Sequence, residues 1–178
     1  MYNIRMEKPI TIWLTGMPCS GKTTLANGLQ RKLKGLGKFY ITLDGDDLRS
    51  KINRDLGFSE KDRAENLRRV GAIANLFNEK GISVICSFVS PTEKLREKAL
   101  NLIDNYKLIF VDCPAEECAK RDVKGMWKLA KEGKIKNFTG YSAPFEIPKK
   151  ADVTINTKEL NIDESLEKIL NIKWSYVI

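Results

Sequence analysis

The chain has 178 residues, 42% of them hydrophobic and 30% charged, the balance of a globular domain large enough to bury its own core. Basic side chains number 31 against 23 acidic ones, a net charge of +8; this suits a protein that handles anions without choosing among nucleotides, nucleic acid and a lipid surface. There is no histidine, which removes any Ser-His-Asp or Cys-His mechanism, and no apolar run approaches the ~20 residues of a membrane helix.

The opening stretch MYNIRMEKPITIW lacks the apolar centre of a signal peptide, so a cytoplasmic protein is expected. Runs of β-branched and aromatic residues at 10–15, 38–44, 82–88, 107–112 and 152–156 read as strands. Helical stretches at 22–35, 59–80, 92–104, 114–121 and 163–171 separate them. The 59–80 helix opens on Ser59 as N-cap, carries Glu60 and Asp62 in its first turn and stops before Gly81. Strands alternating with helices predict an α/β fold, a five-stranded parallel sheet with helices on both faces. No repeat, low-complexity tract or linker interrupts residues 1–178, so a single domain is expected. Trp13 reads as core, and Trp174 as packing the C-terminal segment on the sheet.

Between the first strand and the first helix stands Gly16-Met17-Pro18-Cys19-Ser20-Gly21-Lys22-Thr23, which fits G-x-x-x-x-G-K-[ST]. Gly16 and Gly21 permit torsions that let successive amide N–H groups curl around phosphate oxygens. The helix that follows turns its positive end to the same anion. Lys22 reaches the β- and γ-phosphates and the Thr23 hydroxyl ligates Mg²⁺; Cys19, Ser20 and Thr24 complete the expected ATP site. The acid that should follow an apolar strand is Asp44 with Asp46, in "YITLDGD", or Asp112, in "LIFVDCP". The first pair is preferred, because two carboxylates one residue apart suit both metal positioning and acceptance of a hydroxyl proton. No guanine-reading NKxD is present and there is no room for a second helicase lobe, so a small-molecule kinase leads. Cys19, Cys86, Cys113 and Cys118 show no CxxC spacing and read as reduced thiols rather than a zinc site.

The stretches "WLTGMPCSGKTT", "LDGDDLR", "NRDLGFSEKDRAENLRRV", "FVSP" and "RDVKGMWKLAKEGKIKNFTG" follow one another in order. Together they resemble adenylylsulfate kinase, over residues 10 to 157. That resemblance implies a P-loop kinase fold with a mobile lid at about 122–150, closing over the carboxyl ends of the strands. It also implies ATP-dependent phosphorylation of the ribose 3′-hydroxyl of adenosine 5′-phosphosulfate, and a homodimer. By the same resemblance Asp44 is the catalytic aspartate and a Mg²⁺ ligand with Thr23, and Asp46 supports metal or substrate. Arg49, Arg63 and Asn66 grip the phosphosulfate and ribose, a task suited to the planar guanidinium fork. Phe58 and Phe138 hold the substrate's adenine between two rings. Val89 and Ser90 lie on the substrate side, Ser90 matching a serine that the family carries as a phosphoserine intermediate; direct in-line transfer needs no such stop, which leaves substrate binding as its other role. Arg121 lies along the ATP adenine, and Lys134 and Lys136 are the lid lysines nearest phosphate.

Each of these positions also has a plain structural reading. Phe58 can serve as a hydrophobic staple before Ser59, Arg68 as a solvated helix charge, and Arg121 as a cation at a helix C-terminus. Departures from the family pattern are Ser50-Lys51 after "DGDDLR", Ser142-Ala143 after "FTG" and Pro18-Cys19 inside the phosphate loop, together with the short stretch before the first strand. They leave a second acceptor open, the 3′-hydroxyl of another nucleotide such as cytidine diphosphoramidate, used by a capsule-associated branch that resembles these kinases. From a different class comes a basic RNA- or nucleotide-binding module with a regulatory phosphate loop, whose affinity for polyanions would fall steeply with salt. The preferred partner is a small nucleotide, with neither nucleic acid nor membrane.

Overall fold

The computed structural model describes residues 8–172; Trp174 lies outside the described residues. A five-stranded, all-parallel sheet runs in the order β2-β3-β1-β4-β5. Its strands are β1 (Thr11–Thr15), β2 (Tyr40–Asp44), β3 (Ser83–Ser87), β4 (Tyr106–Asp112) and β5 (Val153–Asn156). The central strand β1 is buried along its whole length, as expected of a parallel strand covered on both sides. Alternation sends its side chains to two different cores. Trp13 joins Leu43, Val70 and Ala99, whereas Ile12 and Leu14 join Leu25, Leu29, Ile155 and Ile169.

Helices α3 (Glu60–Glu79) and α4 (Glu93–Leu100) supply the first core, and α1 (Lys22–Gly35) and α7 (Ile162–Leu170) supply the second. Three short helices, α2 (Gly45–Ser50), α5 (Ala115–Lys120) and α6 (Met126–Lys131), lie at the carboxyl end of the sheet or near it. A third small core of Cys113, Cys118, Trp127, Ala130 and Phe138 holds the segment after β4 together. Among the described residues no helix is long and apolar enough to cross a membrane.

Boundaries depart from the sequence expectation where capping decides them. Strand β2 begins at Tyr40 rather than 38, because the end of α1 claims the preceding residues: Lys38 N donates to the Leu33 carbonyl at 2.9 Å and Gly37 N to Lys34 at 3.0 Å, a Schellman-type closure. Helix α4 stops at Leu100 rather than 104, because Leu102 N and Ile103 N turn back to the carbonyls of Ala99 and Leu100. That tighter turn drives Ile103 into the core. Helices α2 and α6 were not expected. Asp44 starts α2 by accepting a hydrogen bond from Asp46 N at 3.0 Å, with Asp46 and Asp47 in its first turn. Ser59 caps α3 as expected, accepting from Asp62 N at 3.1 Å.

Helices α3 and α4 meet at Gly71, where an added Cβ would stand 2.4 Å from the Ala99 carbonyl oxygen. Helix propensity alone favours alanine there by about 1 kcal/mol. The overlap is with backbone, which cannot rotate aside, so Gly71→Ala should instead cost about 1–3 kcal/mol. Calorimetry should record a melting temperature lower by roughly 3–8 °C; an unchanged or higher value would mean that the two helices are free to separate.

Candidate active site

The phosphate loop leaves the carboxyl end of β1 and enters α1 through Gly21, whose φ is 99. Gly16 is pressed against β4: a Cβ there would lie 2.4 Å from the Val111 carbonyl oxygen. Thr157, just past β5, donates through its hydroxyl to the Ser20 carbonyl at 2.9 Å. Arg121 in turn donates to the Thr157 hydroxyl at 3.1 Å and to its carbonyl at 2.9 Å. The loop is thereby held from two strands. Ser20 Oγ is buried without a hydrogen-bond partner, a position that suits a ligand oxygen. Lys22 folds over the loop and donates to the Met17 carbonyl at 2.7 Å. Its burial lowers its pKa from 10.5 to about 8, against a smaller opposing pull from Cys118, Cys19, Asp44 and Asp46.

Beside the loop lies an oxygen cluster. Thr23 Oγ1 donates to Asp44 Oδ2 at 2.8 Å and stands 3.4 Å from Ser87 Oγ. The other Asp44 oxygen caps α2, so the carboxylate is held in place by the helix it starts. An all-oxygen set of two hydroxyls and a carboxylate matches the hard ligands that Mg²⁺ prefers. Asp112 is elsewhere: it lines a separate cavity of about 570 Å³ with Met17, Phe110, Tyr141 and Phe145.

A cleft of about 1500 Å³ joins Lys22, Thr23, Thr24 and Asp44 to Phe58, Arg63, Val89, Phe138 and Arg121. At its far end the exposed Phe58 ring has the Arg49 guanidinium 4.4 Å and that of Arg63 5.6 Å from its centroid. Arg49 donates to the carbonyls of Leu56 and Gly57, and Arg63 to the carbonyls of Phe58 and Asn137 and the hydroxyl of Thr139. Every one of these acceptors is neutral. Burial lowers the pKa of both guanidiniums, and for Arg63 the charge of Arg49 adds to it. Among the described residues neither guanidinium hydrogen-bonds an anion. The carboxylates of Asp62 and Asp46 lie near enough to act on Arg49, and the two guanidiniums leave this end of the cleft cationic.

The adenylylsulphate kinase family model matches residues 8–156. The chain belongs to this family. It is 46% identical to the adenylyl-sulfate kinase of Bacteroides thetaiotaomicron over 168 residues, 93% of this chain and 84% of that one. It is 41% identical to the adenylyl-sulfate kinase of Halothermothrix orenii over 167 residues, 94% and 90% of the two chains. Its fold superposes with a TM-score of 0.89 on the Mycobacterium tuberculosis APS kinase in complex with AMPPNP and APS, at 36% identity and covering 93% and 98% of the chains.

Not every residue singled out from the sequence reaches the cleft. Ser90 is 2% exposed; it donates to Thr15 Oγ1 at 2.8 Å and accepts from Trp13 Nε1 at 3.2 Å, facing the core beneath the site. Asn66 is buried and accepts from Asn53 Nδ2 at 3.0 Å, behind the wall. Lys134 turns outward to Glu132 at 2.8 Å, whereas Lys136 does line the cleft. Asp46 lines the cleft and pairs with Lys124. Phe58 is 59% exposed, which rules out the staple reading. Phe138 lines the cleft with its ring packed edge-on against Trp127, centroids 5.1 Å apart. Arg121 is both the C-cap of α5 and part of the cleft wall. Arg68 is a solvent-side charge held by Glu65.

Three residues of the site had not been singled out: Ser87, Lys124 and Thr157. Ser87 closes β3 and is level with Asp44 in the register, so its signal was its place at a strand's carboxyl end. Lys124 was one lysine of seven in 122–150, and Thr157 had no local signal.

The lowered Lys22 pKa has a measurable consequence. Above about pH 8 the free protein holds Lys22 largely neutral, while a bound triphosphate favours the charged form. Nucleotide binding should therefore take up close to one proton at about pH 9 and almost none near pH 7, with affinity falling as pH rises through 8. Isothermal titration calorimetry of Mg·AMPPNP in buffers of different ionisation enthalpy measures the uptake; the same value at both pH settings would overturn it.

Proposed function

We propose that this chain transfers the γ-phosphoryl group of ATP to the ribose 3′-hydroxyl of adenosine 5′-phosphosulfate, giving the 3′-phosphorylated product and ADP. The observation that carries this reading is one cleft with a phosphate loop and oxygen cluster at one end and an arginine-flanked aromatic at the other. The relatives named adenylyl-sulfate kinase support the acceptor.

The triphosphate lies on the amides of the phosphate loop with Lys22 against its β- and γ-oxygens, and Arg121 lies beside its base. Thr23 and Asp44 would hold Mg²⁺, which would neutralise phosphate charge during transfer. The phosphosulfate meets Arg49 and Arg63, and its adenine lies between Phe58 and Phe138. Asn66 acts from behind the wall, keeping Asn53 and the 51–56 loop in place. The 3′-hydroxyl oxygen forms its bond to Pγ as the bond from Pγ to the β–γ bridging oxygen breaks. The hydroxyl proton passes to the Asp44 carboxylate, and ADP leaves with the electron pair. Segment 122–150 closes over both nucleotides and keeps water from the γ-phosphate. The working unit is taken to be a cytoplasmic homodimer, on family resemblance.

Of the departures that opened a cytidine-linked acceptor, Pro18 and Cys19 line the cleft at its phosphate-loop end, whereas those at 50, 51, 142 and 143 stand outside it. Ser50 donates to the Asp47 carbonyl and Lys51 pairs with the Asp47 side chain. Ser142 Oγ accepts from Phe138 N at 2.9 Å, and Ser142 and Ala143 line the smaller cavity. Those four positions give no ground for a changed acceptor, and Pro18-Cys19 belongs to the phosphate-loop end rather than the Phe58 end.

Replacing Asp44 by asparagine keeps an oxygen for the α2 cap and removes the base. Turnover should fall by about 10³-fold or more while Mg·AMPPNP still binds; near-normal turnover would end the assigned role. Ser90→Ala leaves the Trp13 N–H without its acceptor and should cost about 1–3 kcal/mol of stability. Its turnover per folded molecule should nevertheless stay within about threefold of the parent, since direct transfer passes through no phosphoserine. A dead but folded Ser90→Ala protein would restore the covalent route.

A further inference from the structure

The turn after β3 is held in a conformation that its residues resist. Ser90 has a φ of 36°, in the left-handed region, although the proline that follows it favours extended backbone. Such a residue persists only where its surroundings dictate it, and such positions gather at functional sites. Here the turn carries Phe88 and Val89 into the cleft wall. It also stands beside Asp44: Ser87 is level with Asp44 in the register, and a Cβ on Gly45 would lie 3.5 Å from the Phe88 ring.

Two side chains grip this turn by its carbonyls. Thr15, the residue before Gly16 of the phosphate loop, donates to the Val89 carbonyl at 2.9 Å. Arg96 of α4 donates from Nη1 to the Ser90 carbonyl at 2.9 Å. Arg96 is only 1% exposed, and a buried guanidinium is costly unless its charge is paired. Glu93 supplies the pair, accepting from Nη2 at 2.6 Å and from Nε at 3.2 Å. The end of segment 122–150 is fastened at the same place. Glu146 N donates to the Pro91 carbonyl at 2.8 Å, and the Glu146 carboxylate accepts from Glu93 N at 2.7 Å. The Phe145 ring lies 5.9 Å from the Arg96 guanidinium. Arg96 itself does not line the cleft.

We propose that Arg96 is a positioning residue for the acceptor: by holding the Ser90 carbonyl it keeps the strained turn in place, and with it the Phe88–Val89 wall against which the acceptor rests beside Asp44. The grip is on backbone, so it survives loss of the Ser90 hydroxyl. It acts on the acceptor and not on the nucleotide, because the phosphate loop is braced elsewhere, by the Val111 contact and by Thr157. This rests on the kinase reading above, in which the acceptor hydroxyl meets Asp44.

The test compares Arg96→Met and Arg96→Lys with Ile169→Ala, which empties space in the core on the other face of the sheet and lowers the melting temperature without touching the turn. Steady-state assays vary adenosine 5′-phosphosulfate at saturating ATP, and titration calorimetry gives the affinity for Mg·AMPPNP. Arg96→Met should lower the acceptor kcat/KM by about 10²-fold, chiefly through KM, with Mg·AMPPNP affinity within about threefold of the parent. Arg96→Lys keeps one donor for the Ser90 carbonyl and should fall only about tenfold. Ile169→Ala should lose stability and keep the parent's acceptor KM. The proposal is overturned if folded Arg96→Met keeps kcat/KM within about threefold of the parent, as a merely structural residue would, or loses nucleotide affinity as steeply as it loses the acceptor. Should Arg96→Met not fold, Arg96→Lys decides alone, and a parent-like acceptor KM overturns the proposal. If the parent phosphorylates neither adenosine 5′-phosphosulfate nor cytidine diphosphoramidate, the acceptor reading fails by itself. Hydrogen exchange then judges the grip: Arg96→Lys should exchange the amides of residues 88–90 about tenfold faster than the parent, and equal rates would overturn it.

Discussion

Backbone amides hold a multiply charged anion best when they are aligned beforehand, and here the phosphate loop packs so closely at Gly16 that a Cβ would lie 2.4 Å from the Val111 carbonyl oxygen. That contact sets the phosphate loop against the end of β4, and the Thr157 hydroxyl sets it against the chain leaving β5. Both strands are in place because β1, buried on both faces, anchors the centre of the sheet. The two apolar cores therefore do more than stabilise the fold. They supply the rigid edge on which amide groups can be aligned in advance, so that little reorganisation is needed when charge shifts during the reaction.

Charge in the cleft is arranged by the same logic. Lys22 is buried enough for its pKa to be pulled down to about 8, which means its positive charge is poorly solvated and gains more from a phosphate than a surface lysine would. Arg49 and Arg63 crowd one another around Phe58 and find only neutral acceptors for their hydrogen bonds. Asp44 serves two ends with two oxygens: one starts α2, the other meets Thr23. A helix cap thus doubles as the device that orients the Asp44 carboxylate toward Thr23.

Much of this was legible along the chain. The phosphate loop is recognisable because its function is carried by consecutive backbone groups, and consecutive groups are what a sequence records. Asp44 was separable from Asp112 because a second carboxylate, Asp46, follows it closely. The α/β alternation was readable because parallel strands buried on both faces become short apolar runs. Helices α2 and α6 escaped notice, being a single turn or two whose apolar pattern is too short to show a period. Ser90, Asn66 and Lys134 had the right chemistry for the site but face the core, Asn53 and Glu132; nothing local distinguishes a hydroxyl or an ammonium that faces a ligand from one that does not.

The amino-acid sequence by itself determined that this chain builds a parallel sheet, binds phosphate between its first strand and helix and keeps an acid pair after its second strand. It also carries the motifs of the adenylylsulphate kinase family. Only the tertiary structure decided which of the many basic and polar side chains share one cleft. It brought Lys124 across to Asp46, Thr157 onto the phosphate loop and Ser87 beside Thr23, and it withdrew Ser90 into the core. The reason is physical: these contacts join residues 64 to 137 positions apart, and such separations are closed by sheet register and core packing rather than by any local preference of the chain.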